Sequence, residues 1–397
     1  MTDLLAGHRV VGFGEHLPLL YGLMVLRDLG AEVVLVEPPG GIASRHVPEI
    51  FEPLAGSFRS LCVDLKDPDG QQAVRGLVAR GDVLVEAYRP GKLAVLGLGE
   101  AALRELAPDL VYVSLSGYGQ TGPYRDVPGH ELSYQGVAGV LAPAPPAVAP
   151  TAEPRSWSTP APVGDFVSGT FAALAAVAGL LRRHGRGGGT TADVSMTDCL
   201  TGLVFPQVLA ALRGGPAPVL PPDDPGHGVF ATADDLELSV SIAHEDHFWA
   251  SLCATLGLDD LAGLSTPARL ARSGELRAAV AERIRRRSRA EWLIALDRAG
   301  VPAGPVHDVA QVAEDPQVRA RHVIRRSPDG SGPAHVGQPI VFDGASPAPR
   351  GAVPGLGEHT AALLAEAGLP EAEVDRLLAA GVAVGPVARR DPVEAPS

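Results

Sequence analysis

The chain has 397 residues, 46% of them apolar, which is ample for a buried core and fits one large or two ordinary domains. Its formal net charge of −13 argues against wholesale binding of nucleic acid and leaves room only for a local basic site. The three cysteines, Cys62, Cys199 and Cys253, lie far apart in no metal spacing, which excludes a disulfide framework and a zinc site and fits a reducing cytoplasm. The N-terminus lacks the basic and apolar regions of a secretory leader, so the reading is a cytoplasmic protein outside the membrane.

In chain order, residues 9–13 (RVVGF) predict a short strand, and a helix follows from about Leu17 to Leu29, ended by Gly30. AEVVLVEPPGG is a second strand running into a Pro-Gly loop, which makes a strand–helix–strand unit of a parallel sheet. The pattern recurs: a strand at 60–65, a helix over DPDGQQAVRGLVARG, a strand at 82–88, a helical crossover over RPGKLAVLGLGEAALRELAP, and a strand at 110–119. The fold class is therefore α/β, a doubly wound parallel sheet, with ligand loops expected at the carboxyl ends of its strands. Gly12-Phe13-Gly14 and Glu37 half match a dinucleotide fingerprint, but Leu17 stands where the third glycine belongs.

A Gly-, Pro- and Tyr-containing loop reaches Gly129, and a helix starts just after His130. The Pro/Ala-rich stretch 143–162 then leads to Asp165 and to FVSGTFAALAAVAGLLRRHGRGGG. That segment reads as one long apolar helix buried on most sides, with Arg182, Arg183 and His184 suited to its negative end. Ser168, Gly169 and Thr170 near its start argue against a membrane span. Asp165 at its mouth reads either as an N-cap or as an ionisable group facing a substrate at the helix's positive end. A strand and a helix follow over TTADVSMTDCLTGLVFPQVLAALRGG. The layout is a large α/β domain over 1–215, a linker at 216–228, and a smaller α+β domain at 229–320. The smaller domain opens with a hairpin at 229–243. The segment 321–397 returns to the large domain, with a short strand near PIVFDG and helices at GEHTAALLAEAGL and EAEVDRLLAAG.

RDLGAEVVLVEPPGG, SLCVDLKDPDG, RPGKLAVLGLG, LVYVSLSGYGQTGPYRDVPGHELSY, PVGDFVSGT, ADVSMTDC and PGLGEHTAALLAEAGL together resemble, in the same order, the family III CoA transferases. That CaiB/BaiF superfamily includes the α-methylacyl-CoA racemases, and the chain is most similar to this branch. The resemblance implies an interlocked homodimer and a CoA site between the large domain of one chain and the small domain of the other. It implies an acyl-CoA substrate and no cofactor beyond the coenzyme A that substrate carries; His244 and His247, three apart, lack the H-E-x-x-H pattern, so no metal is expected. In the transferases an aspartate of a GD motif attacks the thioester and becomes a mixed anhydride, and the matching residue is Asp165. In the racemases that aspartate works with the histidine of a G-H-D-x-x-Y motif. The matching residues are Gly129-His130-Glu131-Leu132-Ser133-Tyr134, with Glu131 in place of the aspartate. A glutamate after the small-domain hairpin corresponds to Glu245.

Racemisation at a thioester needs a base on one face of the α-carbon, an acid on the other, and stabilisation of the enolate oxygen. His130 and Asp165 would form the pair, with Glu245 orienting or charge-stabilising the imidazole. Arg45, Arg59 and Arg89, near predicted strand ends, are candidates for the CoA phosphates. Tyr118 and Tyr134 complete the CoA-side set, although Tyr118 alone reads as a loop aromatic. The glycine-rich loop that covers the aspartyl intermediate in formyl-CoA-type transferases is not found in 216–250. The expected activity is therefore racemisation at C2 of a 2-methyl-branched acyl-CoA. The alternatives are a CoA transferase using Asp165 as nucleophile and a non-catalytic CoA-ester binding protein.

Overall fold

The computed structural model describes residues 3–141, 161–215, 223–325, 334–344 and 351–386. The proline-rich loop read at 143–162 lies outside the described residues except for its last two, and so does the linker up to residue 222. The chain divides into two compact units, Met1–Phe205 with His322–Ser397, and Pro206–Arg321.

The large unit runs β1 (Arg9–Phe13), α1 (Leu17–Asp28), β2 (Glu32–Glu37), α2 (Pro48–Ala55), β3 (Arg59–Val63), α3 (Pro68–Val78) and β4 (Val83–Glu86). It continues with α4 (Lys92–Val95), α5 (Glu100–Leu106), β5 (Val111–Ser116), α6 (Glu131–Ala138), α7 (Val163–Arg186), β6 (Thr190–Ser195) and α8 (Met196–Leu203). The helix α9 (Phe205–Leu212) begins where Pro206 prevents α8 from continuing, so the single helix read there is two. The predicted crossover after β4 is likewise split, α4 from α5, around Gly97 at φ +70°.

In the small unit β7 (His227–Ala231) and β8 (Glu237–Ser241) pair antiparallel around a turn in which Asp235 takes φ +55°. The strand therefore starts within the stretch read as linker. Helices α10 (Asp246–Leu256), α11 (Thr266–Leu270), α12 (Ser273–Ile284) and α13 (Arg289–Arg298) follow. β9 (Ala303–Val306) then joins β8 antiparallel, before α14 (Val309–Val312) and α15 (Pro316–Ala320). Trp249, Leu252, Val280 and Leu296 form its core, beside an Arg269 fully buried between Asp224 at 3.0 Å and Asp246 at 2.6 Å.

The remaining elements belong to the large unit. They are the paired strands β10 (Ile324–Arg325) and β11 (His335–Val336), α16 (Thr360–Glu366), α17 (Glu371–Ala379) and β12 (Ala383–Val384). The strand expected near PIVFDG is thus found just before it, at β11. The central sheet has the order β12-β3-β2-β1-β4-β5-β6. It is parallel throughout except for β12, an antiparallel edge strand on β3 that the sequence reading missed.

Alternation within the strands feeds two cores. Val10, Val33, Leu35, Val83, Val85, Val111 and Val113 point to the layer of α1, α2 and α7. Val11, Phe13, Val34, Val36, Leu61 and Leu84 point to the layer of α3, α16 and α17. Strands buried on both faces explain why the sheet reads as apolar runs rather than as alternation.

The helix α7 departs from the reading of a helix buried on most sides. By length and mean hydropathy it meets the test for a membrane span, despite Ser168, Gly169 and Thr170. It is packed instead against β5 and α1 through its smallest residues: Gly164, Ser168, Gly169, Ala172, Ala173, Ala176 and Gly179. Leu180 is buried with them, but three other large apolar residues point out, with Phe171, Leu174 and Leu181 exposed by 47, 57 and 73%. The closest approach is backbone to backbone. A Cβ on Gly169 would lie 2.5 Å from the Pro18 carbonyl oxygen, and one on Gly22 would lie 2.8 Å from that of Gly169. Gly169→Ala is therefore expected to lower stability by about 2 kcal/mol in urea unfolding. Gly185→Ala, where a Cβ meets nothing within 4 Å, should leave stability unchanged or slightly raised.

Candidate active site

The strand order reverses between β1 and β4, and the loops leaving these strands diverge there. An open cleft of about 1060 Å³ occupies this switch point. The β1–α1 loop supplies Glu15 and His16, the loop after β4 supplies Tyr88, Arg89 and Lys92, and the loop after β5 supplies Gly117 and Tyr118. His130 and Tyr134 come from the start of α6, Asp165 from the first turn of α7, and Met196 from α8. Val47 and Ile50, at the start of α2, give one wall an apolar surface.

The dinucleotide decoy resolves into packing. Gly12 is needed because a Cβ there would lie 2.4 Å from Leu23 of α1. Glu37, buried at the end of β2, is taken by both guanidinium arms of Arg45 at 2.5 and 2.7 Å and by the Ser60 hydroxyl at 2.6 Å.

Asp165 is not the N-cap of its helix. α7 begins at Val163, and Asp165 makes no side-chain capping bond. The capping carboxylate comes from Glu131, whose Oε1 accepts the Gly164 N–H at 2.7 Å and the Gln135 amide at 2.6 Å. Glu131 Oε2 is buried without a partner among the described residues. A Cβ at residue 164 would lie 2.4 Å from that oxygen, so glycine before Asp165 is a steric requirement. Among the described residues no hydrogen bond or ion pair reaches the Asp165 carboxylate. Burial, with the Glu131 charge adding to it, pushes Asp165 up to about 7.

Tyr134 holds the other side. Its hydroxyl donates to the Gly129 carbonyl, and its ring rests on the backbone of Gly117 and Gly129 and edge-on to Tyr118 at 5.0 Å. Burial, assisted by Tyr118 and Asp165, pushes the phenol up to about 12, so it remains a donor. This contact fixes the turn from which His130 projects. His130 precedes α6 in extended conformation, is exposed to the cleft, and meets the ring of His16 edge-on at 6.1 Å. His16 was missed in the sequence, although its place after β1 at the switch point marks it as a cleft residue. The surrounding walls hold its imidazole below its usual value; Glu15 opposes this, and His130 and Lys92 add to it. Beneath the cleft, burial pushes Glu86 up to about 7, while its carboxylate accepts the Tyr88 N–H at 2.9 Å and so fixes the loop that carries Arg89.

The candidate arginines separate. Arg89 lines the cleft. Arg45 does not; it is engaged by Glu37 and the Pro354 carbonyl and stacks over Phe51 at 4.5 Å. Arg59 is the first residue of β3, at the amino end of a parallel strand, where it joins Arg9, Glu32 and Glu366 in a charge network. Arg45 and Arg59 are thus held in ion pairs with the chain's own carboxylates. Glu245 belongs to the small unit. Its carboxylate folds back to accept the N–H groups of Ala243 and His244 at 3.0 Å, and these hold it below the usual carboxylate range.

Residues 5–360 match the family model described as CoA-transferase family III. The chain is 31% identical to the succinate–glutarate CoA-transferase of Agrobacterium fabrum, over 92% of this chain and 98% of that enzyme. It is also 31% identical to the acetyl-CoA:oxalate CoA-transferase of Acetobacter aceti, over 89% and 93% of the two chains. The crystal structure of a CAIB/BAIF family protein from Brucella suis superposes with a TM-score of 0.79 at 28% identity, covering 92% of this chain and 100% of that one. The two enzymes are named as CoA-transferases, so the resemblance is shown at the level of the family and the racemase branch is not specifically shown. The chain belongs to the CoA-transferase family III.

Proposed function

We propose that this chain is a CoA transferase that moves coenzyme A from an acyl-CoA to a free carboxylate, with Asp165 as the nucleophile. The observation that carries the reading is the Asp165 carboxylate itself. It stands at the switch-point cleft with no partner among the described residues, beside a helix start already capped by Glu131. A capping or paired carboxylate would be a poor nucleophile, whereas a desolvated, unpaired one near neutrality is reactive in its ionised form.

The chemistry balances with Asp165 alone. An Asp165 oxygen attacks the thioester carbonyl carbon, the C–S bond breaks, and CoA leaves as thiolate. The thiolate attacks the Asp165 carbonyl of the resulting anhydride, releases the first acid as carboxylate and leaves CoA as a thioester on Asp165. The incoming carboxylate repeats the two steps in reverse, and Asp165 is regenerated. The chemistry calls for no cofactor beyond the CoA of the substrate. Arg89 is a cleft arginine suited to a CoA phosphate, and Tyr118 offers an aromatic face.

The second reading, racemisation by α-proton transfer, is supported by His130 and Asp165 lining one cleft. The family relatives favour transfer. The two separate in D₂O: transfer needs an added carboxylate and leaves the α-proton in place, whereas racemisation exchanges that proton without an acceptor.

The outward-facing Phe171, Leu174 and Leu181 of α7 support the interlocked homodimer implied by the family, since a helix that exposes three large apolar residues lacks a partner surface. Leu174→Glu combined with Leu181→Glu should shift the protein from dimer to monomer in sedimentation equilibrium; a native monomer would contradict this assembly.

Asp165→Asn should lower transfer at least about a thousandfold while leaving acyl-CoA binding within about threefold. Transfer with full activity in this variant would end the nucleophile assignment. Because Asp165 titrates near 7 and attacks only when ionised, single-turnover transfer should rise as pH increases through about 7. Glu131→Gln removes the neighbouring charge and should move that rise to lower pH. A rise unmoved by Glu131→Gln would show that another group is titrating.

A further inference from the structure

Five basic side chains line the cleft: His16, Arg89, Lys92, Arg125 and His130, of which Arg125 is engaged by Asp126 and the Gln120 carbonyl. His16 and Lys92 have no part in the steps above. His16 precedes α1, caps nothing with its side chain, and has no hydrogen bond to either ring nitrogen among the described residues. Lys92 holds its ammonium 4.3 Å over the Tyr88 ring, and no carboxylate is paired with it among the described residues. Both therefore keep hydrogen-bond donors for an anion that the protein does not supply. Glu15 is the acidic neighbour of His16, against the basic His130 and Lys92.

A chain of contacts leads from His16 to the reacting end of the cleft, and Lys92 is near enough to His16 to act on its charge. The His16 ring meets that of His130. His130 is followed by Glu131, and Glu131 accepts the N–H of Gly164, next to Asp165. The phosphates of CoA are separated from the thioester by the whole pantetheine arm, which makes them poor occupants here. The carboxylate that reacts is also a poor occupant. It loses its charge on becoming a thioester, so a fixed cation on it would favour the ground state and oppose transfer. A spectator anion keeps its charge throughout and gains from the donors at every stage.

On the transferase reading, we propose that His16 and Lys92 seat the second carboxylate of the acyl acceptor, so that the enzyme selects dicarboxylic acids over monocarboxylic acids of the same length. The apolar wall at Val47 and Ile50 suits the carbon chain between the two carboxylates.

The test is steady-state transfer by the full-length protein from one acyl-CoA donor to matched acids, succinate against butyrate and adipate against hexanoate. The wild type should prefer the diacid of a pair. His16→Ala and Lys92→Ala should each lower the diacid-to-monoacid ratio of kcat/KM by roughly tenfold, mainly through the KM of the diacid. A change confined to kcat would mark a structural or chemical role and overturn the proposal. The same assays with a dephospho-CoA donor separate the other source of an anion. If either substitution raises the KM of acyl-CoA and the effect vanishes with dephospho-CoA, these residues serve the CoA phosphate and the proposal is wrong. Transfer with unchanged selectivity in both variants rejects the diacid seat and leaves the transferase reading standing. Absence of transfer to every acid, with α-proton exchange instead, rejects that reading and the seat with it.

Discussion

The near-contact of two helix backbones sets the geometry of this molecule. α1 and α7 meet at Gly22 and Gly169 with no room for a side chain between them. That proximity lets a 24-residue helix lie against the sheet on its smallest residues. It also brings the first turn of α7 to the place where α1 leaves β1, which is the reversal point of the sheet. Asp165 and His16 reach one cleft for this reason, though they are far apart in the chain. The cost of the arrangement is visible on the other side of α7, where Phe171, Leu174 and Leu181 face outward.

Glu131 links this packing to reactivity. By accepting the Gly164 N–H it satisfies a free donor at the helix start, the task that Asp165 would otherwise perform. The same carboxylate adds negative charge beside Asp165 and, with burial, holds it near neutrality. The folded state therefore binds a proton at Asp165 more tightly than the unfolded chain does. Its ionisation weakens the fold as pH rises from the ordinary aspartate range through about 7, a stability cost located at the site of chemistry.

The sheet was legible because parallel strands buried on both faces leave apolar runs, clearest at β1, β2 and β4, whereas the edge strand β6 carries the polar run TTADVS. The length of α7 was legible for the same reason, but its orientation was not. Apolar composition cannot distinguish a helix buried by its alanines from one buried by its leucines. Two prolines, Pro48 and Pro53, hid α2, and β12 is too short to carry a pattern. Among the site residues, Asp165, His130, Glu131, Tyr118, Tyr134 and Arg89 share the cleft. Arg45 and Arg59 meet carboxylates of the chain itself; a sequence shows that an arginine lies near a strand end but not which carboxylates wait there. Arg59 lies at the amino end of its strand. His16 was overlooked because the loop that carries it was weighed only as a failed dinucleotide motif.

The most direct test of the account follows an oxygen atom. If the acceptor carboxylate is labelled with ¹⁸O and incubated with enzyme and acyl-CoA, the anhydride route leaves one labelled oxygen on the side chain of Asp165. Mass spectrometry of the peptide carrying Asp165 should show the heavy oxygen after turnover with acceptor and none without acyl-CoA. An unlabelled Asp165 in a sample that has formed the new CoA ester would contradict the central claim, and would mean that the acceptor takes CoA without passing through this carboxylate.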